Sequence, residues 1–484
     1  MLFDFTPLTS KLAQIRPVQR YGRVIGVDSG SISIKGLSLH ARVGDQISIA
    51  ANAGDTRGGE IVALAQDEVR AMAYDSPQGV AIGDLVCLEG ESGAAASPSW
   101  IGRIVDAFGQ PLDGQPLFQG GISAPLHRTP PAAALRRRMG GRLNTTLGLF
   151  NTMLPLARGQ RIGIFAGSGV GKTTLLADLA KGLEADVVVI GLIGERGREL
   201  RDFVEETLGA EGMKRAVVVA ATSDQSPLIK RRAAWMAMAT AEAFRDQGKH
   251  VLLLLDSITR FAEAHREIAL TAGEAPSLRA YPPSTANQIA QLAERAGPGP
   301  QGSGDITAVF SVLVAGSDME EPVADITRGV LDGHIVLERS IAERGRFPAV
   351  DVRRSVSRCL PGVANEGENV LINHARRIIS AYEKAAPMIQ TGLYVRGSDP
   401  LVDEAITYWP KLDAFFTRGG FESTNDSFIE FANLMGQADP NHVPEDPVLE
   451  SRPHEYPAGS LAAPDTPAPE LDVRINTENY GAST

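Results

Sequence analysis

Three glycines, a lysine and two threonines crowd one short stretch, Ala166-Gly-Ser-Gly-Val-Gly-Lys-Thr-Thr174. Their spacing suits the holding of phosphate. Gly167, Gly169 and Gly171 let the backbone turn tightly and approach phosphate oxygens. Thr173 and Thr174 open a helix, Thr-Thr-Leu-Leu-Ala-Asp-Leu-Ala, whose N-terminus favours negative charge. The N–H groups from Ala166 through Ser168 and Val170 to Lys172 then line a cradle. Lys172 reaches the β- and γ-phosphates, and the Thr173 hydroxyl is placed to ligate Mg²⁺. The first Gly of G-x-x-x-x-G-K-[ST] is Ala166 here. The dinucleotide pattern G-x-G-x-x-G fails, because Lys172 follows Gly171. The rival reading is a chance Gly-rich turn. The apolar strand Arg161–Ala166 before it and the helix after it argue for the cradle.

Three other places hold candidate chemistry. Val251-Leu-Leu-Leu-Leu-Asp256 is an apolar strand ending in an acid. At the C-terminal edge of a parallel strand Asp256 would sit beside the cradle and hold Mg²⁺, directly or through water; alone, such an acid often just caps the next helix. Gly194-Glu-Arg-Gly-Arg-Glu199 follows another buried strand. Glu195 there could orient and deprotonate an attacking water, with Arg196 beside it, or both could belong to a solvated charged loop. Phe347-Pro-Ala-Val-Asp-Val-Arg-Arg-Ser-Val-Ser-Arg358 comes later. An Arg in this stretch could act on a neighbour's γ-phosphate, but from the residues alone an ordinary ion pair is the favoured reading. Phe347 could stack on a base or fill a core.

These residues need a sheet to position them. Continuous Val/Ile/Leu runs at Arg161–Ala166, Val187–Leu192, Val217–Ala221, Val251–Asp256 and Thr307–Ala315, separated by helical stretches, predict a mostly parallel sheet covered on both faces. Before it, short alternating strands with Gly turns over residues 21–95 predict a small β-barrel. Leu8, Leu12 and Ile15 give residues 1–20 an amphipathic lead-in. Residues 96–365 form the core with its lead-in, and 366–436 read helical, with Leu371, Ala375, Ile378 and Tyr382 on one face. Ser398-Asp399-Pro400 marks a helix start. From 437 to 484 the chain is acidic, Pro-rich and poor in apolar residues, which predicts disorder.

Charge and cysteine content narrow the function. The net charge is -11, and the nine acids and two arginines from Asp439 onward leave the rest at only -4. Nucleic acid as an electrostatic partner is disfavoured, since it needs a basic surface. Cys87 and Cys359 make no disulfide or metal framework. No apolar run reaches membrane-spanning length, and the start shows no basic signal region, so a cytoplasmic protein is expected.

Taken together, Ala166–Thr174, Gly194–Glu199, Leu252–Phe261 and Tyr281-Pro-Pro-Ser284 resemble, in order, the RecA-like ATPases that include the rotary ATP synthase α and β subunits. Within that group, Phe-Ala-Gly-Ser-Gly-Val-Gly-Lys and Ile-Gly-Leu-Ile-Gly-Glu-Arg-Gly-Arg-Glu are similar to the type III protein-export ATPases. Tyr394-Val-Arg-Gly-Ser-Asp-Pro-Leu-Val-Asp-Glu-Ala-Ile406, with Trp409-Pro410 and Gly420-Phe-Glu422, resembles the flagellar branch. The resemblance covers roughly residues 20–435. It implies a multi-domain chain: a small N-terminal β-barrel, a central RecA-like α/β P-loop ATPase domain and a C-terminal helical domain. It implies ATP and Mg²⁺ as cofactors, Glu195 as the catalytic carboxylate, Arg196 as a phosphate-side Arg, Arg358 as the arginine finger supplied in trans and Phe347 as the adenine-stacking aromatic. It further implies a homohexamer, a stator-like regulator on the N-terminal segment, a stalk-like protein in the ring pore, and unloading of export substrates from chaperones at the export gate. The location implied is cytoplasmic, peripheral at the inner face of the membrane.

Two stretches depart from the family pattern. Asn144-Thr-Thr-Leu-Gly-Leu-Phe-Asn151 stands where relatives commonly carry Thr-Gly-Val-Arg-Ala-(Ile/Leu)-Asp, so packing under the cradle is expected to differ. Ala280 replaces the usual Gly before Tyr281, which is expected to stiffen that loop. Rival functions are a catalytic subunit of a rotary synthase, a virulence-type secretion ATPase, an RNA-translocating hexamer and a non-enzymatic ring subunit. Glu195 and Arg358 in one chain favour a self-sufficient ring. Residues 1–95, with eleven acids against eight bases and aromatics only at Phe3, Phe5, Tyr21 and Tyr74, disfavour RNA reading.

Overall fold

A computed structural model describes residues 18–441, apart from 29, 52–54, 92, 119, 121–123, 315–318 and 438. The amphipathic lead-in expected over 1–20 lies outside the described residues save its last three, and so does the acidic tail beyond 441.

Six strands, β1 (Tyr21–Val27), β2 (Ile32–Lys35), β3 (Gln46–Ala50), β4 (Thr56–Leu64), β5 (Val69–Ala73) and β6 (Leu85–Gly90), close into a barrel in the order β1-β2-β5-β4-β3-β6. Alternate residues fill it: Val24, Ile32, Ile34, Ile47, Ile49, Ile61, Val69 and Val86 are buried together. Closure leaves no unpaired strand edge.

The remaining strands are β7 (Gly93–Ala94), β8 (Ile104–Val105), β9 (Ala124–Pro125), β10 (Arg161–Ala166), β11 (Val187–Glu195), β12 (Ala216–Thr222), β13 (His250–Asp256), β14 (Gly297–Pro298), β15 (Asp305–Leu313), β16 (Gly333–Leu337) and β17 (Val350–Ser357). β7 and β9 pair with each other. The main sheet runs β17-β16-β10-β15-β13-β11-β12-β8, parallel throughout except that β17 is antiparallel to β16, and β14 to β15. The five strands expected from apolar runs are its centre. The flanking pairs were less visible: β8 is only two residues, and β17 is broken by charge as Val-Asp-Val-Arg-Arg-Ser-Val-Ser. Helices cover both faces, and Val188, Val218, Leu252, Leu254, Val309 and Phe310 are buried between them.

Three helices follow, Glu366–Gln390, Pro400–Phe415 and Thr424–Leu434. The first opens on a capping box, Asn365 with Glu368. The second opens where expected: Asp399 Oδ1 accepts from the N–H of Leu401 at 2.9 Å, with Pro400 in the first turn. Arg142 ties these helices to the core through a two-pronged pair with buried Glu368 at 2.8 and 3.1 Å, and its guanidinium lies 4.7 Å from the Phe428 ring centre. The loop before Tyr281 is conformationally tight. Arg279 and Ala280 hold φ of 49° and 64°, the left-handed region in which a glycine would be unstrained.

Two histidines are locked in neutral form. His250 and His265 are buried, and each Nε2 sits 2.8 Å from a hydroxyl, that of Thr307 and that of Ser284. Burial first, then Arg158 or Arg231, lowers each pKa from 6.5 to about 4. A depressed histidine pKa contributes stability that is complete above pH 6.5 and is lost as pH falls through the folded value. Each is expected to remove up to about 3 kcal/mol between pH 6.5 and 4. Glu195, its pKa raised to about 7, changes stability in the opposite sense over this range, so the His250 part is read as a difference. The change in urea-unfolding stability between about pH 7.5 and pH 5 should be more unfavourable in the parent than in His250→Gln by about 2 kcal/mol; an equal change in the two would refute the assignment.

Candidate active site

The cradle grows directly out of the sheet. β10 lies between β15 and β16 in parallel register and ends at Ala166. The chain then turns through Gly169 and Gly171, with φ of 76° and 86°, into the helix Lys172–Gly182. No side chain caps that helix, so its first-turn N–H groups are open to an anion.

Two strand ends bring acids to the same edge. β13 ends at Asp256, which is buried. Its Oδ1 accepts from Ser311 Oγ at 2.5 Å and from Lys172 Nζ, and neither contact falls on Oδ2. β11 ends at Glu195, one residue past Gly194 at φ 73°, where the pairing with β12 slips by one residue. That slip carries the Glu195 side chain over the edge. Burial, then the Asp256 charge, pushes its pKa up to about 7 against the pull of Lys172. Arg196 is exposed and pairs with Glu199 at 2.9 Å. A cavity of about 740 Å³ is lined by Gly167, Lys172, Thr173, Glu195, Arg196 and Arg260, among others. A smaller one of about 200 Å³ gathers Thr173, Glu195, Glu199 and Asp256. This donor set is hard oxygen, which fits Mg²⁺; the ion keeps several waters and leans on substrate phosphates rather than a full protein cage.

Phe347 stands at the same edge because β17 starts there: Val350 pairs with Leu337, and Leu337 with Ala166. The ring is 50% exposed and so close to Gly171 that a Cβ on that residue would lie 3.1 Å from it. It walls a pocket of about 800 Å³ with Gly171, Thr174, Thr146, Thr417 and Gly420.

Arg358 goes elsewhere. Its N–H donates to Asp332 O at 3.0 Å, and Asp332 N–H donates to Arg161 O at 2.8 Å. It is therefore level with the first residue of β10, whereas the cradle follows the last, about 16 Å along the strand. Arg358 is exposed, and its guanidinium has no hydrogen-bond partner or ion pair among the described residues. It lines a separate groove of about 690 Å³ with Val356, Asn369 and Arg376.

Reasoning from sequence missed Ser311, Arg260 and the two pocket-wall segments around 146 and 420. Ser311 left one trace, a hydroxyl between Phe310 and Val312 in a mostly apolar strand. The wall segments showed only as a departure from pattern at 144–151 and a resemblance at 420–422, with no sign that they wall one pocket, since they meet only in the folded chain.

Comparison with known proteins fits this geometry. Residues 147–357 match the ATP synthase alpha/beta family, nucleotide-binding domain, and residues 365–425 match the T3SS EscN ATPase C-terminal domain. The flagellum-specific ATP synthase of Caulobacter vibrioides is 46% identical over 440 residues, 89% of this chain and 98% of that protein. That of Bacillus subtilis is 41% identical over 423 residues, 86% and 96% of the two. Among solved structures, the assembled ATPase EscN of the enteropathogenic E. coli type III secretion system superposes with a TM-score of 0.79 at 33% identity, covering 86% of this chain and all of that one. EscN in complex with its central stalk EscO superposes at 0.78 with the same coverage. A P-loop beside two strand-end carboxylates, on a chain alike over nearly the whole length of these relatives, places it plainly: it belongs to the flagellum-specific ATP synthase family of type III export ATPases, enzymes that hydrolyse ATP in protein export.

Proposed function

We propose that this chain works as a homohexameric ring that hydrolyses ATP between neighbouring subunits, energising export of flagellar proteins by unloading them from chaperones at the membrane export gate. The observation that carries the reading is the placement of Arg358. Glu195 and Arg358 belong to one chain but lie at opposite ends of the sheet strands, which supports a site completed by a neighbour's Arg358. The flagellar relatives and the assembled EscN support the ring and the cargo class.

In this mechanism the cradle N–H groups and Lys172 hold the β- and γ-phosphates, with Arg196 beside the γ-phosphate. Phe347 stacks on the adenine. Thr173 and Asp256 would hold Mg²⁺, which when bound neutralises charge developing on the β- and γ-oxygens. Lys172 is shared with Asp256 and is drawn to the phosphates as they enter. Glu195, with a pKa of about 7, is well matched to accept a proton from water near neutrality. A neighbour's Arg358 supplies the last positive charge.

The reading extends to partners and place. EscN is known with its central stalk EscO, and a stalk-like protein in the pore fits here too, as does a stator-like regulator on residues 1–20. No helix among the described residues is long and apolar enough to cross a membrane, and a cytoplasmic enzyme peripheral at the inner membrane face accords with that. The test is ATPase activity per chain against protein concentration. It is expected to rise as rings assemble. Flat, negligible activity at every concentration would mean that another chain supplies the finger, and the rotary-synthase reading would replace this one.

A further inference from the structure

Asn151 is wholly buried, with buried Thr145 and Ser427 beside it, and every polar atom of its amide is used. Its Oδ1 accepts from the Thr145 N–H at 2.9 Å and the Thr145 hydroxyl at 2.8 Å. Its Nδ2 donates to Asn144 Oδ1 at 2.8 Å and to Ser427 Oγ at 2.9 Å. Asn144 Oδ1 also accepts from the Thr146 N–H at 2.9 Å, and its Nδ2 donates to the carbonyls of Glu422 at 2.7 Å and Phe421 at 3.3 Å. The backbone N–H groups of Thr145 and Thr146 can only donate, so both amides have one satisfying orientation. Asn144 thus joins the segment ahead of the P-loop strand to the loop between the last two C-terminal helices. Asn151, in the short helix Gly148–Thr152, joins it to Ser427 in the first turn of the last helix.

What these loops do is visible in the pocket. The N–H of Gly148 donates to Arg418 O at 3.0 Å, that of Phe421 donates to Thr146 O at 3.1 Å, and Leu147 bridges Gly419. Thr146, Leu147, Thr417, Gly419 and Gly420 then form the wall of the 800 Å³ pocket away from the phosphate cradle. Thr146 holds φ 62°, strained for a threonine, and that backbone is kept in place by the bonds at Thr145 and Thr146. We propose that Asn151 and Asn144 are positioning residues that set the base-side wall of the nucleotide pocket, and so govern how tightly the base is held without touching the phosphate cradle. The proposal rests on the reading of the Phe347 pocket as the base site.

The isosteric change Asn151→Asp tests it. It keeps the two bonds at Oδ1 and turns the donor toward Asn144 Oδ1 into an acceptor. Asn144 cannot flip to compensate without turning its oxygen on the carbonyls of Phe421 and Glu422. Asn144→Ala, at a half-buried position, removes the same link from the other side and decides the matter if Asn151→Asp does not fold. Two probes are titrated with Mg²⁺ against the full-length chain: ATP, and inorganic tripolyphosphate, which has no base. Both variants are expected to weaken ATP binding about tenfold, the scale of an orphaned buried hydrogen bond, with the loss falling on KM more than kcat. Tripolyphosphate binding is expected to stay within twofold. Because the two residues act in series, the double variant should be no worse than the weaker single one. Unchanged ATP binding, or equal weakening of both probes, overturns the proposal. Phe347→Ala is the companion. If it fails to weaken ATP relative to tripolyphosphate, the base-site reading itself falls. If it does so while both asparagine variants do not, only the positioning role falls.

Discussion

Replacing Glu195 with Gln is expected to lower ATP turnover by about 10²- to 10⁴-fold while ATP still binds. The substitution keeps the shape at the end of β11 and removes the proton acceptor. It also takes one negative charge from beside Asp256, whose field helps push the Glu195 pKa up. The γ-phosphate therefore meets less repulsion in the variant, and ATP should bind at least as tightly as in the parent. Single-turnover hydrolysis and equilibrium nucleotide binding, measured on the same preparation, separate the two. Turnover near the parent rate would remove Glu195 from the role, and Glu199, which lines the smaller cavity with it, would be the next carboxylate to examine.

The second large effect is expected at Arg358. Arg358→Ala should cost about 10³- to 10⁵-fold in turnover, although the residue lies a strand's length from its own cradle. The sharper measurement mixes this variant with Glu195→Gln. Each alone is inactive. In a ring with head-to-tail interfaces, a Glu195 from one variant meets an Arg358 from the other at about a quarter of the sites after random equal mixing, so activity should reappear. Were Arg358 to act within its own chain, every site in the mixture would lack one group and nothing would return.

The chemistry on consecutive residues could be read from the chain. The cradle from Ala166 to Thr174 is a local device, in which strand, loop and helix follow one another. Asp256 was legible for a similar reason, since an apolar run that ends in an acid places that acid at a sheet edge. Glu195 was less so. Its projection into the site depends on a slip in the pairing of β11 with β12, and pairing registers are not written in one strand alone. Arg358 was singled out from the other arginines of its stretch only through family resemblance, since it stands a strand's length from its own cradle. Phe347 reaches the cradle through the register of β17 against β16 and β10. The Asn151–Ser427 bond joins residues 276 positions apart. In the sequence, Asn151 showed only as a departure from pattern, with no sign of what it had become bonded to.

The glycine at 148 carries one more consequence. A Cβ there would stand 2.9 Å from the rings of both Phe415 and Phe421, well inside any tolerable contact. Phe415 in turn stacks on Phe431, their centroids 5.2 Å apart. The C-terminal helices are thus not a module that can be exchanged freely among relatives. A chimaera that grafts them onto a core with any side chain at this position would be built around a collision. Swaps of these helices between relatives would have to carry residue 148 along with them.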